Sequence, residues 1–258
     1  MTPQVIQAWV PSSRGWLSTA LLRAKPPSDR IALFLHGWGS TKVEWDYAHA
    51  TMARQLVATG TDTVLFDYVG HGESTGSLSE ASFQSMVEDG HAIVEWLHNF
   101  HYTRYYVVAR GLSAAVALYL APHAEWDGTC LLSPALAIPS CLEEYPQAYL
   151  TPEVMDQGEI ADALRHLGAL PLHLRGESVT TEWFSRGPTP PPHIPGRCLI
   201  LGDPADAFWT PARWGHHPDL DIQALPGGGP MFRRPDLISQ VADTMIAWMR
   251  SVERSDRS

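Results

Sequence analysis

The residues able to carry chemistry sit in turns that follow apolar runs. Leu33-Phe34-Leu35 runs into His36-Gly37-Trp38-Gly39-Ser40, where glycines let backbone N–H groups approach a ligand closely. Phe66-Asp67-Tyr68 runs into Val69-Gly70-His71-Gly72-Glu73-Ser74. Val107-Val108-Ala109-Arg110 runs into Gly111-Leu112-Ser113-Ala114-Ala115, and Leu201 runs into Gly202-Asp203-Pro204-Ala205-Asp206. Backbone donors in such turns stabilise charge developing on a carbonyl oxygen, each worth roughly 3 kcal/mol in working enzymes. A serine adds nucleophilic catalysis only when an imidazole stands beside it. The last histidines of the chain, His216 and His217, precede its final strand-like run and lie beside Pro218, which suits a solvated loop.

Those turns need a scaffold, and the hydropathy pattern supplies one. Strand-like runs are predicted at residues 5–9 and 15–22 (a hairpin around Pro11-Ser12-Ser13), 30–36, 62–68, 105–109, 128–133, 197–201 and 220–225. Helical patterns lie among them at 47–59, 80–100, 113–121 and 235–252. That alternation predicts an α/β fold with a mostly parallel central sheet flanked by helices. The rhythm breaks between residues 139 and 195, where a helical piece at 151–167 is followed by Pro188, Pro190, Pro191 and Pro192. Residues 139–195 therefore read as a small cap or lid inserted into a core made of 1–138 and 196–258.

Composition removes several classes. The chain has 258 residues, 45% of them hydrophobic and 18% charged, which excludes disorder for most of its length. A net charge of -10 argues against nucleic acid as a partner. No apolar run approaches the ~20 residues needed to span a bilayer. The first fifteen residues lack the pattern of a secretory signal. Cys130, Cys141 and Cys198 are too widely spaced for a disulfide framework or a zinc knuckle, so a reducing cytoplasm is expected, with no metal and no cofactor.

Taken together and in this order, the turns resemble those of the α/β-hydrolase family over essentially the whole chain. The resemblance implies an oxyanion-type site made by the backbone N–H groups of Trp38 and Leu112. It implies that Asp206, in a Gly-x-x-x-Asp-x-x-x-x-Pro segment from Gly202 to Pro211, is the triad acid, and that His71 supports neighbouring loops. It also exposes two departures. The family sets its nucleophile in a Gly-x-Ser-x-Gly turn between strand and helix. Aligning the helix that follows puts Gly111 at that position. A second alignment reads Gly111 to Ala115 as Gly-x-Ser-x-Ala, with Ser113 as nucleophile. It requires Arg110 to lie in the buried central strand and Val116 to stand where close helix packing wants a small residue. Ser113 also suits the first turn of a helix, where its hydroxyl can satisfy a backbone N–H. The catalytic histidine of the family follows the last strand, and Pro230 occupies that position.

With both positions altered, Ser-His-Asp hydrolysis is not expected. The retained donors suit an enolate, so proton removal next to a carbonyl is the leading expectation. Asp206, His36, His71 or a carboxylate on the substrate are the available bases. The substrate-binding set implied by the family is His36, Gly37, Trp38, Arg110, Trp183, Phe184, Phe208, Trp209 and Met231. Its aromatic content favours a bulky, largely apolar small molecule or modified peptide. Arg110 is suited to a ligand carboxylate or to a helix acid. The pattern is similar to the peptide epimerases of bottromycin-like ribosomal-peptide pathways, which implies isomerase chemistry without a triad. Two alternatives stay open: a ligand-binding pseudo-hydrolase without turnover, and an esterase or thioesterase using Ser113.

Overall fold

Strands β3 (Arg30–Leu35) and β5 (Arg104–Arg110) read as continuous apolar runs because both faces of the sheet are covered there. Ile31, Leu33 and Leu35 point into one core and Ala32 and Phe34 into the other, as the two-residue period of a strand requires. The computed structural model describes residues 3–124, 126–134, 172–174, 177–179, 196–205, 217–228 and 234–255. Within them an eight-stranded sheet runs β1 (Gln4–Ser12), β2 (Gly15–Arg23), β4 (Asp62–Phe66), β3, β5, β6 (Gly128–Leu132), β9 (Cys198–Gly202) and β10 (Leu220–Ala224) in spatial order. The β1–β2 hairpin and the β2–β4 pair are antiparallel, and all other pairs are parallel. The fold is that of the α/β hydrolases.

The first core lies under α2 (Phe83–Leu97) and α3 (Ser113–Ala124), the second under α1 (Ala48–Ala58) and α4 (Pro235–Ser255). Two helix starts differ from the sequence expectation for identifiable reasons. Tyr47 has a left-handed φ of 58°, which an L-residue cannot propagate as a helix, so α1 begins at Ala48. In α2 the Ser82 hydroxyl caps the Ser85 N–H, and the Ser85 hydroxyl accepts from the Ser82 N–H. This reciprocal cap starts the helix at Phe83 rather than at residue 80.

Most of the expected insertion lies outside the described residues, including the helix expected at 151–167. Two short strands not expected from the sequence are present within it, β7 (Leu172–Leu174) and β8 (Glu177–Val179), paired antiparallel. No described helix is long and apolar enough to cross a membrane. Cys130 and Cys198 are free, buried thiols on the adjacent strands β6 and β9, and burial pushes both pKa values up.

The strand order locates the site. The chain passes from β3 outward to β4, then returns across β3 to β5, so the order reverses at the β3–β5 pair. In open α/β sheets ligands bind beyond the carboxyl ends of the strands at such a reversal. The loops after β3 and β5 flank that crevice. The sheet beneath leaves little room for change: a Cβ on Gly128 would come within 2.7 Å of the Trp248 ring and 3.2 Å of Tyr106. Gly128→Ala is therefore expected to cost about 1–3 kcal/mol through overpacking. Urea unfolding should show this as a lower midpoint with an unchanged slope.

Candidate active site

Two loops meet at the reversal. The first, residues 36–47, leaves β3 with Gly39 at φ 71° and non-glycine residues Glu44, Asp46 and Tyr47 at φ 60°, 54° and 58°. The second is the two-residue turn Gly111-Leu112 between β5 and α3, with Gly111 at φ 54°. The Gly111 N–H donates to the Leu132 carbonyl at 3.0 Å, which fixes the turn to β6. An added Cβ would meet no atom of the described residues within 4 Å. Gly111 thus has the left-handed geometry of a strand-to-helix turn, where the first of the two alignments places the nucleophile.

Ser113 is placed differently. It begins α3, is fully buried, donates its hydroxyl hydrogen to the His36 carbonyl at 2.5 Å and accepts from the Tyr68 hydroxyl at 3.1 Å. Those bonds tie helix α3 to the ends of β3 and β4. Burial pushes the Tyr68 hydroxyl well above its ordinary pKa, so this chain of hydroxyls stays neutral.

The two turn histidines support loops. His36 Nδ1–H donates to the Gly37 carbonyl at 2.8 Å, and Nε2 accepts from the Tyr68 N–H at 3.3 Å. His71 Nδ1–H donates to the Val69 carbonyl, and Nε2 accepts from the Gly39 N–H, both at 3.2 Å. A carbonyl can only accept and an N–H can only donate, so each ring carries its proton on Nδ1 and is neutral. Burial lowers both pKa values, that of His71 to about 3. Expected to line the ligand space or act as a base, His36 instead has its ring enclosed and both nitrogens committed.

Arg110 is buried at the end of β5. Its Nη1 donates to Glu44 Oε2 at 2.8 Å, with side-chain exposures of 5% and 1%. This partner is a loop acid, not a helix acid. Glu44 had no role in the sequence reading. Its Oε1 accepts from the Gly37 N–H at 2.5 Å, and its Oε2 also accepts from the Ser40 hydroxyl at 2.9 Å and the Trp45 N–H at 3.2 Å. Burial raises the carboxyl pKa, but Arg110 and the nearby donors outweigh it and hold the group at about 2. The signal available in the sequence was Arg110 itself, since a buried guanidinium demands an acid.

Asp67 is another buried carboxylate that joins loops. It accepts from the Lys42 N–H and Nζ, both at 2.6 Å, and from the Glu73 N–H at 3.0 Å. It joins the loop after β3 to the turn after β4. Trp38 and Leu112, which the resemblance assigns as oxyanion donors, lie in the first loop and directly after Gly111, both buried. The N–H groups on either side of Trp38 are held by Glu44 and His71. Asp206, Trp183, Phe184, Phe208, Trp209, Pro230 and Met231 lie outside the described residues. Among the described residues no group of three or more His, Cys, Asp or Glu side chains could hold a metal ion.

Comparison with known proteins adds a family and a set of folds. The family described as Serine aminopeptidase, S33 matches residues 26–170. No curated protein matches the sequence. Among solved structures, Est1E from Butyrivibrio proteoclasticus with ferulic acid bound superposes with a TM-score of 0.73 at 15% identity, over 94% of this chain and 99% of that one. Mouse alpha/beta hydrolase domain-containing protein 10 gives 0.70 at 15%, over 96% and 99%. An esterase of Pyrococcus furiosus gives 0.70 at 16%, over 95% and 91%.

The buried neutral histidines make a measurable prediction. His49, in the first turn of α1, is fully buried, and neither ring nitrogen has a hydrogen-bond partner among the described residues. Burial lowers its pKa to about 3. His49 and His71 bind no proton in the folded state near pH 6, whereas the unfolded chain takes one on each below its ordinary value of about 6.5. Their contribution is therefore complete above pH 6.5 and is lost as pH falls toward 3. Between pH 6 and pH 4 each should lower stability by about 1.4 kcal/mol per pH unit. His49→Leu should remove one such contribution, flattening the dependence of urea-unfolding free energy on pH.

Proposed function

The chain belongs to the Serine aminopeptidase, S33 family of α/β hydrolases, and from that membership we propose a member that acts on a carbonyl compound without a serine nucleophile. The observation that carries this reading is Gly111. It has a left-handed φ, no atom of the described residues within 4 Å of where a Cβ would stand, and no side chain to attack with. The burial of Ser113 and its bond to the His36 carbonyl also support it, because a hydroxyl held this way is not exposed and gives its proton to a backbone oxygen.

The reaction proposed is proton exchange at the carbon next to the carbonyl, as in epimerisation of a residue within a peptide. A base removes the α-proton, charge moves to the carbonyl oxygen, and the backbone N–H groups of Trp38 and Leu112 stabilise the enolate. Return of a proton to the opposite face inverts the centre, with no bond to the protein and no cofactor. The committed rings of His36 and His71 leave Asp206 or a substrate carboxylate as the base. The ligand is a bulky, largely apolar peptide or small molecule, handled in the cytoplasm.

Incubation with a fluorophosphonate followed by intact-mass measurement tests the premise. No adduct is expected, and a stoichiometric adduct on Ser113 would return the protein to the esterases. Peptides incubated with the protein in deuterium oxide should gain deuterium at an α-carbon without cleavage. Cleavage, or binding with no exchange, would overturn the isomerase reading.

A further inference from the structure

We infer that Glu44 is a positioning residue, whose carboxylate clamps the Gly37 end of the oxyanion loop to Arg110, the residue immediately before the Gly111 turn. This inference rests on the proposed carbonyl-binding site. An oxyanion site built from Trp38 and Leu112 draws its two donors from different loops. Its geometry therefore depends on what sets the distance between those loops. Backbone pairing of β3 with β5 ends at Leu35 and Ala109, short of both donors. Beyond that point a described side-chain link from the loop to the end of β5 runs through Glu44. Oε1 takes the Gly37 N–H, one residue before Trp38, and Oε2 takes the guanidinium of Arg110, two residues before Leu112.

Three features mark the clamp as specified and not incidental. Glu44 adopts φ 60°, a conformation disfavoured for any residue with a side chain, so the surrounding contacts must hold it there. Its carboxylate sits where a Cβ on residue 37 would come within 3.2 Å of Oε1, which explains a glycine at that position despite its ordinary φ. Four donors converge on the two oxygens, two from the backbone and two from side chains. A buried charge is held rigidly only when its lone pairs are satisfied in this way.

The test separates positioning from folding by installing a reporter in the turn. In Gly111→Cys the new thiolate attacks the carbonyl of p-nitrophenyl acetate, a thioester forms, and p-nitrophenolate leaves through an oxyanion intermediate. With iodoacetamide the same sulfur displaces iodide and no oxyanion forms. The ratio of the two rates, followed by mass on the peptide containing position 111, cancels the fraction of thiolate. Normalised to the same ratio for N-acetylcysteine, it reports oxyanion stabilisation alone. We expect a ratio well above that of the free thiol in Gly111→Cys. Adding Glu44→Gln should lower it by about tenfold or more, with the iodoacetamide rate unchanged. If Glu44→Gln does not fold, Glu44→Asp keeps the charge near Arg110 and withdraws the carboxylate from Gly37. The same fall is expected, with thermal unfolding confirming a folded protein. A Gly111→Cys ratio equal to that of the free thiol would overturn both the carbonyl-binding reading and the clamp. A raised ratio that survives the Glu44 substitution would overturn the clamp alone.

Discussion

A guanidinium enclosed in protein must meet a carboxylate, and the loops around this site are arranged by that requirement. Arg110 ends β5 inside the molecule, so Glu44, 66 residues earlier, is drawn under the loop after β3. Breaking such a pair by removing one member costs about 3–5 kcal/mol, because the other is left charged and unpaired. With the pair in place, Gly37 and Ser40 are fixed by the same carboxylate. Asp67 repeats the pattern one strand away, joining Lys42 to the turn at Glu73. Two buried carboxylates thus hold loops that carry no regular hydrogen-bond ladder of their own.

The strands were legible because burial on both faces leaves an apolar run with little ambiguity. Residues 30–36, 62–68 and 128–133 were expected as strands, and β3, β4 and β6 fall inside those limits. Ends were less legible, since they depend on individual dihedrals and caps: Tyr47 and Ser82 set helix starts that hydropathy cannot register. The three-residue strands β7 and β8 are too short to leave a pattern. In the site, the turns could be read from glycine placement, Gly111 among them. Glu44 could not be read, because its partner is remote in sequence and the loop between them has no period. The enclosure of His36 was equally hidden, since a histidine beside a glycine turn reads the same whether it faces a ligand or the backbone.

The fold of this molecule is shared more widely than any one reaction. Solved structures at 13–18% identity superpose on nearly all of the chain, which speaks for the sheet and its helices and not for a shared reaction. The bonds that hold the loops, such as Ser113 on the His36 carbonyl and His71 on the Gly39 N–H, are made by groups outside position 111. The framework therefore needs nothing that a serine at the turn would supply.

The backbone angle at Gly111 has an evolutionary consequence. At φ 54° glycine is unstrained, while any L-residue there carries roughly 1–2 kcal/mol of steric cost. Exchange of a side chain for hydrogen at this point is downhill in stability, and the reverse exchange is uphill. In a lineage holding glycine here, later substitutions can settle into the stability so gained, each making the return harder. The turn acts as a ratchet: a left-handed residue keeps a side chain only under selection for one and otherwise rests at glycine.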